Sequence, residues 1–230
     1  MIRTIIFPLI FVLAIFSSGC RKGADAARLQ LAQMNIPFTE AAFIDTARQG
    51  DTSALTLFLD AGMSAETKSY DGQTALSVAA LSNQADALKL LLMRGADPDG
   101  KDKHGGTPLM TACWKGNPET VDALLAHAAD LNLQAANGMS ALMFASWDDH
   151  AQIVETLLEK GADPALSDRV GWTALMRAVF KGHANTAKVL LERGADVSAE
   201  GDDRMTALKI AQERQLPEIV QLLKAAGATK

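Results

Sequence analysis

Residues 173–197 read TALMRAVFKGHANTAKVLLERGADV, and the informative positions of this stretch recur every 33 residues along the chain. Thr173 belongs to a column with Thr74, Thr107, Ser140 and Thr206. Leu175 aligns with Leu76, Leu109, Leu142 and Leu208, and Ala178 with Ala79, Ala112, Ala145 and Ala211. Gly194 aligns with Gly62, Gly95, Gly161 and Gly227, with Ala128 as the one substitution. Columns in register over so long a stretch define a tandem repeat, and length here counts stacked units rather than globular domains.

Each column has a physical reason. A Thr or Ser hydroxyl can cap the backbone N–H groups that open a helix, and Pro108 sits directly behind one of them, where helices tolerate proline. A leucine and an alanine three residues apart put a large and a small group on one helical face, so neighbouring helices can approach closely. A second apolar run follows in each unit: Leu88-Leu91-Leu92, Val121-Leu124-Leu125, Val154-Leu157-Leu158 and Val189-Leu190-Leu191. It closes at the glycine column, where a left-handed backbone ends a helix at little cost. An extended stretch then turns at Gly72, Gly105, Gly138 and Gly171. Each unit is expected to be helix, turn, helix and hairpin-like loop.

Thr107-Pro108-Leu109, Gly182-His183 and Gly194-Ala195-Asp196-Val197 resemble the ankyrin repeat. The resemblance covers residues 38–230 and implies an all-α repeat solenoid of about six 33-residue units, near 38–67, 68–100, 101–133, 134–166, 167–199 and 200–230. The first unit lacks the Thr-Pro-Leu start but keeps Phe43, Leu55, Phe58, Leu59 and Gly62, as an N-terminal cap would. In the last unit Lys224 stands where the others carry leucine and Arg204 replaces the turn glycine, giving the polar end that a solenoid needs.

The first twenty residues differ from all that follows. Arg3 is their only charge, and Ile5–Phe16 is apolar or proline throughout. As a helix this run reaches about 18 Å, short of a hydrocarbon core of about 30 Å, so a secretory signal is the expected reading and an uncleaved anchor the alternative. Ser17-Ser18-Gly19-Cys20 resembles the lipobox of bacterial lipoproteins, although Ser17 stands where an aliphatic residue is usual. That resemblance implies a signal at 1–19, lipidation of Cys20 and a tether over 20–37, partly helical around Ala26–Met34. Ordinary signal cleavage without lipid is the other reading. Arg21 is not the aspartate of inner-membrane retention, so the implied site is the outer membrane, facing the periplasm.

Composition sets outer limits. Twenty-two Lys and Arg face 27 Asp and Glu, a net charge of −5, and loss of residues 1–19 with Arg3 leaves −6. A pI near 5.4 argues against nucleic acid as a partner. With Cys20 acylated, Cys113 has no disulfide partner and reads as a small core residue.

No catalytic or metal constellation emerges, and no cofactor is implied. His150 and His183 share a repeat column, so they should lie about 8–10 Å apart, too far to ligate one zinc. His104 falls at a loop tip and His127 at a helix end, without a shared carboxylate cluster. Asp148-Asp149 and Asp202-Asp203 read as solvated turn residues, and every glycine belongs to a repeat column rather than a phosphate loop.

The residues that the repeat does not require are more informative. In ankyrin proteins the inner-helix ends and the hairpin tips line a concave face that usually binds partners. Those columns here carry Trp114, Trp147 and Phe180, and Met139, Trp172 and Tyr70. Five of the nine aromatics beyond the signal, including every Trp and the only Tyr, fall there. Rings of this kind bury much area with few torsions to freeze. Trp114, Trp147 and Phe180 should form a ladder with about 8–10 Å between rungs, wide enough to admit a partner's side chain. Lys115, Lys181, Arg169 and Asp148 would form its mixed-charge rim. The alternative is that the rings fold over their own loops and only stabilise them.

The expected function is non-catalytic: a monomeric protein–protein interaction module on the periplasmic side of the envelope. The alternatives are an inhibitor or immunity-type protein that occludes a toxin or enzyme, and a binder of glycans or cell-wall fragments.

Overall fold

A computed structural model describes residues 22–202 and 204–229; the signal and Cys20 lie outside the described residues. Among the described residues there are thirteen helices and no strand. Helix α1 covers 22–33. It is followed by α2 (Glu40–Gln49), α3 (Thr52–Asp60), α4 (Ala75–Leu81), α5 (Ala85–Met93), α6 (Pro108–Lys115), α7 (Pro118–Ala126), α8 (Ala141–Trp147), α9 (Ala151–Glu159), α10 (Ala174–Lys181), α11 (Ala184–Glu192), α12 (Ala207–Glu213) and α13 (Pro217–Ala225). Even-numbered helices stack on one another as an inner row, and odd-numbered helices from α3 onward stack as an outer row.

The columns act as their chemistry requires. Thr74, Thr107, Ser140, Thr173 and Thr206 each accept the backbone N–H three residues on, opening α4, α6, α8, α10 and α12. Ala79, Ala112, Ala145, Ala178 and Ala211 are completely buried where inner helices meet, and Leu76, Leu109, Leu142, Leu175 and Leu208 fill the space beside them. In the outer row the inward face is Leu88, Val121, Val154 and then Ala187, not Val189, which is only half-buried. The helical period decides this: Ala187, three residues before Leu190, shares its face, whereas Val189 is rotated away from it.

Hairpins join the units on one side. Each turn is closed by backbone bonds such as Ser69 N–H to the Gln73 carbonyl at 2.8 Å. Successive tips are also linked: Ala136 N–H donates to His104, Arg169 N–H to Asn137 and Asp202 N–H to Val170. The stacking leaves no room at two of the tip glycines, since a Cβ on Gly138 would lie 2.6 Å from the Arg169 nitrogen and one on Gly171 2.8 Å from the Asp202 nitrogen. Behind the hairpins the side chain of one unit caps the next, as Glu66 accepts from Asp97 N–H, Asp99 from Asp130 N–H and Asn132 from Asp163 N–H. On the convex side Arg193, at the C-terminal cap of α11, bonds Glu155 and Glu159 of α9.

The segment expected to be a tether is instead part of the packed body. Ala27 and Leu31 of α1 are buried, and Leu31 belongs to the continuous core with Phe43, Phe58 and Leu88. Arg28 donates to the Ala61 carbonyl at 3.3 Å and lies 4.7 Å from the Phe38 ring centre, which itself stacks on Phe58. Helix α1 ends as the outer helices do. Ile36 N–H reaches back to the Leu31 carbonyl across a left-handed Asn35, just as Met63 reaches Phe58 and Ala96 reaches Leu91. It is a half-unit, an outer helix without an inner one, and it covers the end of the first unit.

Candidate functional site

The inner-helix ends and hairpin tips face each other across a groove along the concave side. Within it lies a cavity of about 380 Å³, walled by Leu81 from α4, Asp102 and Gly106 from a hairpin, Thr111 and Trp114 from α6, and Phe144 from α8. Trp114 occupies the last turn of α6 because the αL residue Gly116 ends the helix just beyond it. It is 44% exposed, and the exposed Lys115 places its ammonium 4.1 Å from the ring centre. Tyr70 is fully exposed at the tip of the hairpin preceding α4. Beside it lies a shallower cavity of about 370 Å³ lined by Glu40, Asp45, Arg48 and Lys68 among others.

The other presented rings do not form an open ladder. Trp147 and Phe180 stack directly, centroids 5.9 Å apart and planes 20° from parallel, and Trp172 meets Phe180 edge-on at 5.2 Å. The backbones are spaced as a repeat requires, but indole and phenyl rings are long enough to lean across the gap. Arg177 joins them, its guanidinium 5.3 Å from Trp147 and 4.8 Å from Trp172. That guanidinium is held by Asp168, whose Oδ2 accepts from Nε at 2.7 Å and also from Nη2. Asp168 is 1% exposed at its side chain and Arg177 17%. Lys181 lies 4.9 Å from Trp147, and Arg214 4.6 Å from Phe180. At this end the rings are largely satisfied by the protein itself.

Of the rim residues, Arg169 and Lys181 are exposed and Asp148 is half-exposed at the end of α8. Met139 is half-buried and packs against the core. The structure thus separates Trp114, Lys115 and Tyr70, which face open space, from Trp147, Trp172 and Phe180, which form one cluster. Column reading missed Arg177 and Asp168. The available signal was a charged residue in a column otherwise holding Val78, Thr111, Phe144 and Ile210.

The histidines have structural partners. His150 Nε2 contacts the Trp114 carbonyl at 3.1 Å, and His183 Nε2 the Trp147 carbonyl at 2.9 Å, so each ring ties one unit to the one before. His127 Nδ1 contacts the Ala123 carbonyl within its own helix. Cys113 is a free, fully buried thiol, and desolvation pushes its pKa far above the ordinary value. It therefore has no thiolate character for nucleophilic work. Among the described residues no three His, Cys, Asp or Glu side chains converge to hold a metal ion.

A family model described as Ankyrin repeats (3 copies) matches residues 17–102, 40–135, 94–168 and 163–230. No curated protein matches the chain. Among solved structures, an ankyrin repeat domain from Acinetobacter baumannii AYE is similar at 30% identity with a TM-score of 0.76. The match covers 83% of this chain and 100% of that one.

Proposed function

The chain belongs to the ankyrin-repeat family, and on that premise we propose that it is a protein-binding module of the bacterial envelope, anchored through a lipid on Cys20 and facing the periplasm. Ankyrin repeats are generally interaction modules rather than catalysts, and the comparisons support that coarser statement. One observation carries the finer reading: Trp114 stands half out of a cavity that no side chain among the described residues fills. Large aromatic side chains beside an unfilled pocket are the usual anchors of a protein interface. The lipid anchor is supported by Cys20 behind a short apolar run and small residues. Inhibition of a basic enzyme or toxin is the second reading, favoured by the charge of −6 that follows signal removal.

Two experiments test these statements separately. Crosslinking and mass spectrometry of envelope fractions should give a partner with wild type that is lost with Trp114→Ala; equal capture by both would remove the concave face from the account. Membrane fractionation of Cys20→Ser should move the protein to the soluble fraction, and retention in the membrane would argue against lipidation.

A further inference from the structure

The repeat allows one unit to be compared with another, and the comparison shows what the cavity beside Trp114 lacks. In the unit of α10, Asp168 Oδ1 accepts the N–H groups of Val170 and Trp172, both at 3.0 Å, while Oδ2 holds the Arg177 guanidinium. Two units earlier the same hairpin recurs. Asp102 Oδ1 accepts the N–H groups of His104 and Gly106, both at 2.8 Å. Arg177 is replaced there by Thr111, whose hydroxyl turns back to the Thr107 carbonyl at 3.2 Å. Asp102 Oδ2 has no hydrogen-bond partner among the described residues. Leu81 stands in the place of Trp147, Gly106 in that of Trp172 and Trp114 in that of Phe180. The cavity of about 380 Å³ opens where the arginine and the second indole would be.

We propose that this cavity receives a guanidinium group, an arginine side chain presented by the partner protein. The protein's own Arg177 shows the carboxylate half of the mode, Asp168 Oδ2 receiving the fork between Trp147 and Trp172; at the cavity those two indoles are Leu81 and Gly106, and the rings that line it are Trp114 and Phe144. Arginine suits such a site better than lysine, because its planar group forms two directed bonds and stacks on indole at once. Gly106 in place of a tryptophan removes one wall, which opens the site to the concave side. His104 is the one basic side chain in the cavity lining, and Lys115 lies over the Trp114 ring.

This inference rests on the concave face being the contact surface, and its test uses a small probe so that the two can fail separately. N-acetyl-L-arginine amide, titrated against the full protein, should shift the Trp114 indole NMR signal with a dissociation constant on the order of millimolar. The citrulline counterpart, equal in shape but uncharged, should bind at least about tenfold more weakly. Asp102→Asn keeps an acceptor for the two turn N–H groups but loses the charge, and should weaken the arginine probe by a similar factor. Thr111→Arg should fill the cavity from within and abolish probe binding while the protein stays folded. Equal binding of citrulline, or undiminished binding by Asp102→Asn, would overturn the proposal. If the probe fails but the crosslinked partner still depends on Trp114, only the arginine pocket is lost. If the probe binds and no partner is crosslinked, the pocket stands and the partner reading is lost.

Discussion

Trp147 and Trp114 occupy the same repeat column and carry different burdens. Trp147 stacks on Phe180 and lies beside Arg177 and Lys181, whereas Trp114 has one cation above it and open space beside it. Trp147→Ala is therefore expected to cost about 2 kcal/mol in urea unfolding, and Trp114→Ala less than about 0.5 kcal/mol, although the two substitutions look alike in sequence. Arg177→Leu should cost roughly 3 kcal/mol in the same measurement, because it leaves the Asp168 carboxylate buried without its partner; a loss near zero would show that water replaces the guanidinium. The sequence shows that rings collect in presented columns, since column position is a backbone property. It does not show that Trp147 and Phe180 touch, because that depends on how far each side chain leans across the gap between units.

At the level of the helix and its turns, nearly everything was legible, because each device is local. A threonine three residues ahead of the N–H it caps, or a glycine where the chain turns left-handed, acts within one turn of backbone. The exception in the glycine column makes this measurable. Ala128 adopts φ 60 and closes α7 with the same backward bonds as the glycines, Ala129 N–H reaching the Leu124 carbonyl at 3.2 Å. A side chain in that conformation is strained, so Ala128→Gly should raise stability by about 1 kcal/mol, read as a higher urea midpoint at unchanged slope. Helix α1 was the element whose role the sequence hid. Its closing turn at Met34-Asn35-Ile36 falls out of step with the 33-residue period, and asparagine replaces the glycine that marks the other ends. Periodicity could find a helix near Ala26 but not the surface it covers.

The molecule as a whole is a stack in which each unit touches only its neighbours, so its stability is concentrated in the interfaces and its weak points are the two ends. Leu31 seals one of them and is completely buried. Leu31→Ala should cost about 2–5 kcal/mol of the local interface, and hydrogen exchange should show the loss in α1, α2 and α3 while α8–α12 remain protected. A uniform loss across all helices would mean that the stack unfolds as one body. The packing of α1 also sets a length scale. Residue 22 is already helical and Ala27 is already buried, so the chain from Cys20 to its first packed residue spans at most about 25 Å, and less with its helical turns. With the proposed lipid on Cys20, that leash is shorter than the stack it holds. The groove could not sweep the periplasm for its target; it would work as a clamp at fixed stand-off from the bilayer, taking partners that are themselves brought to the membrane surface.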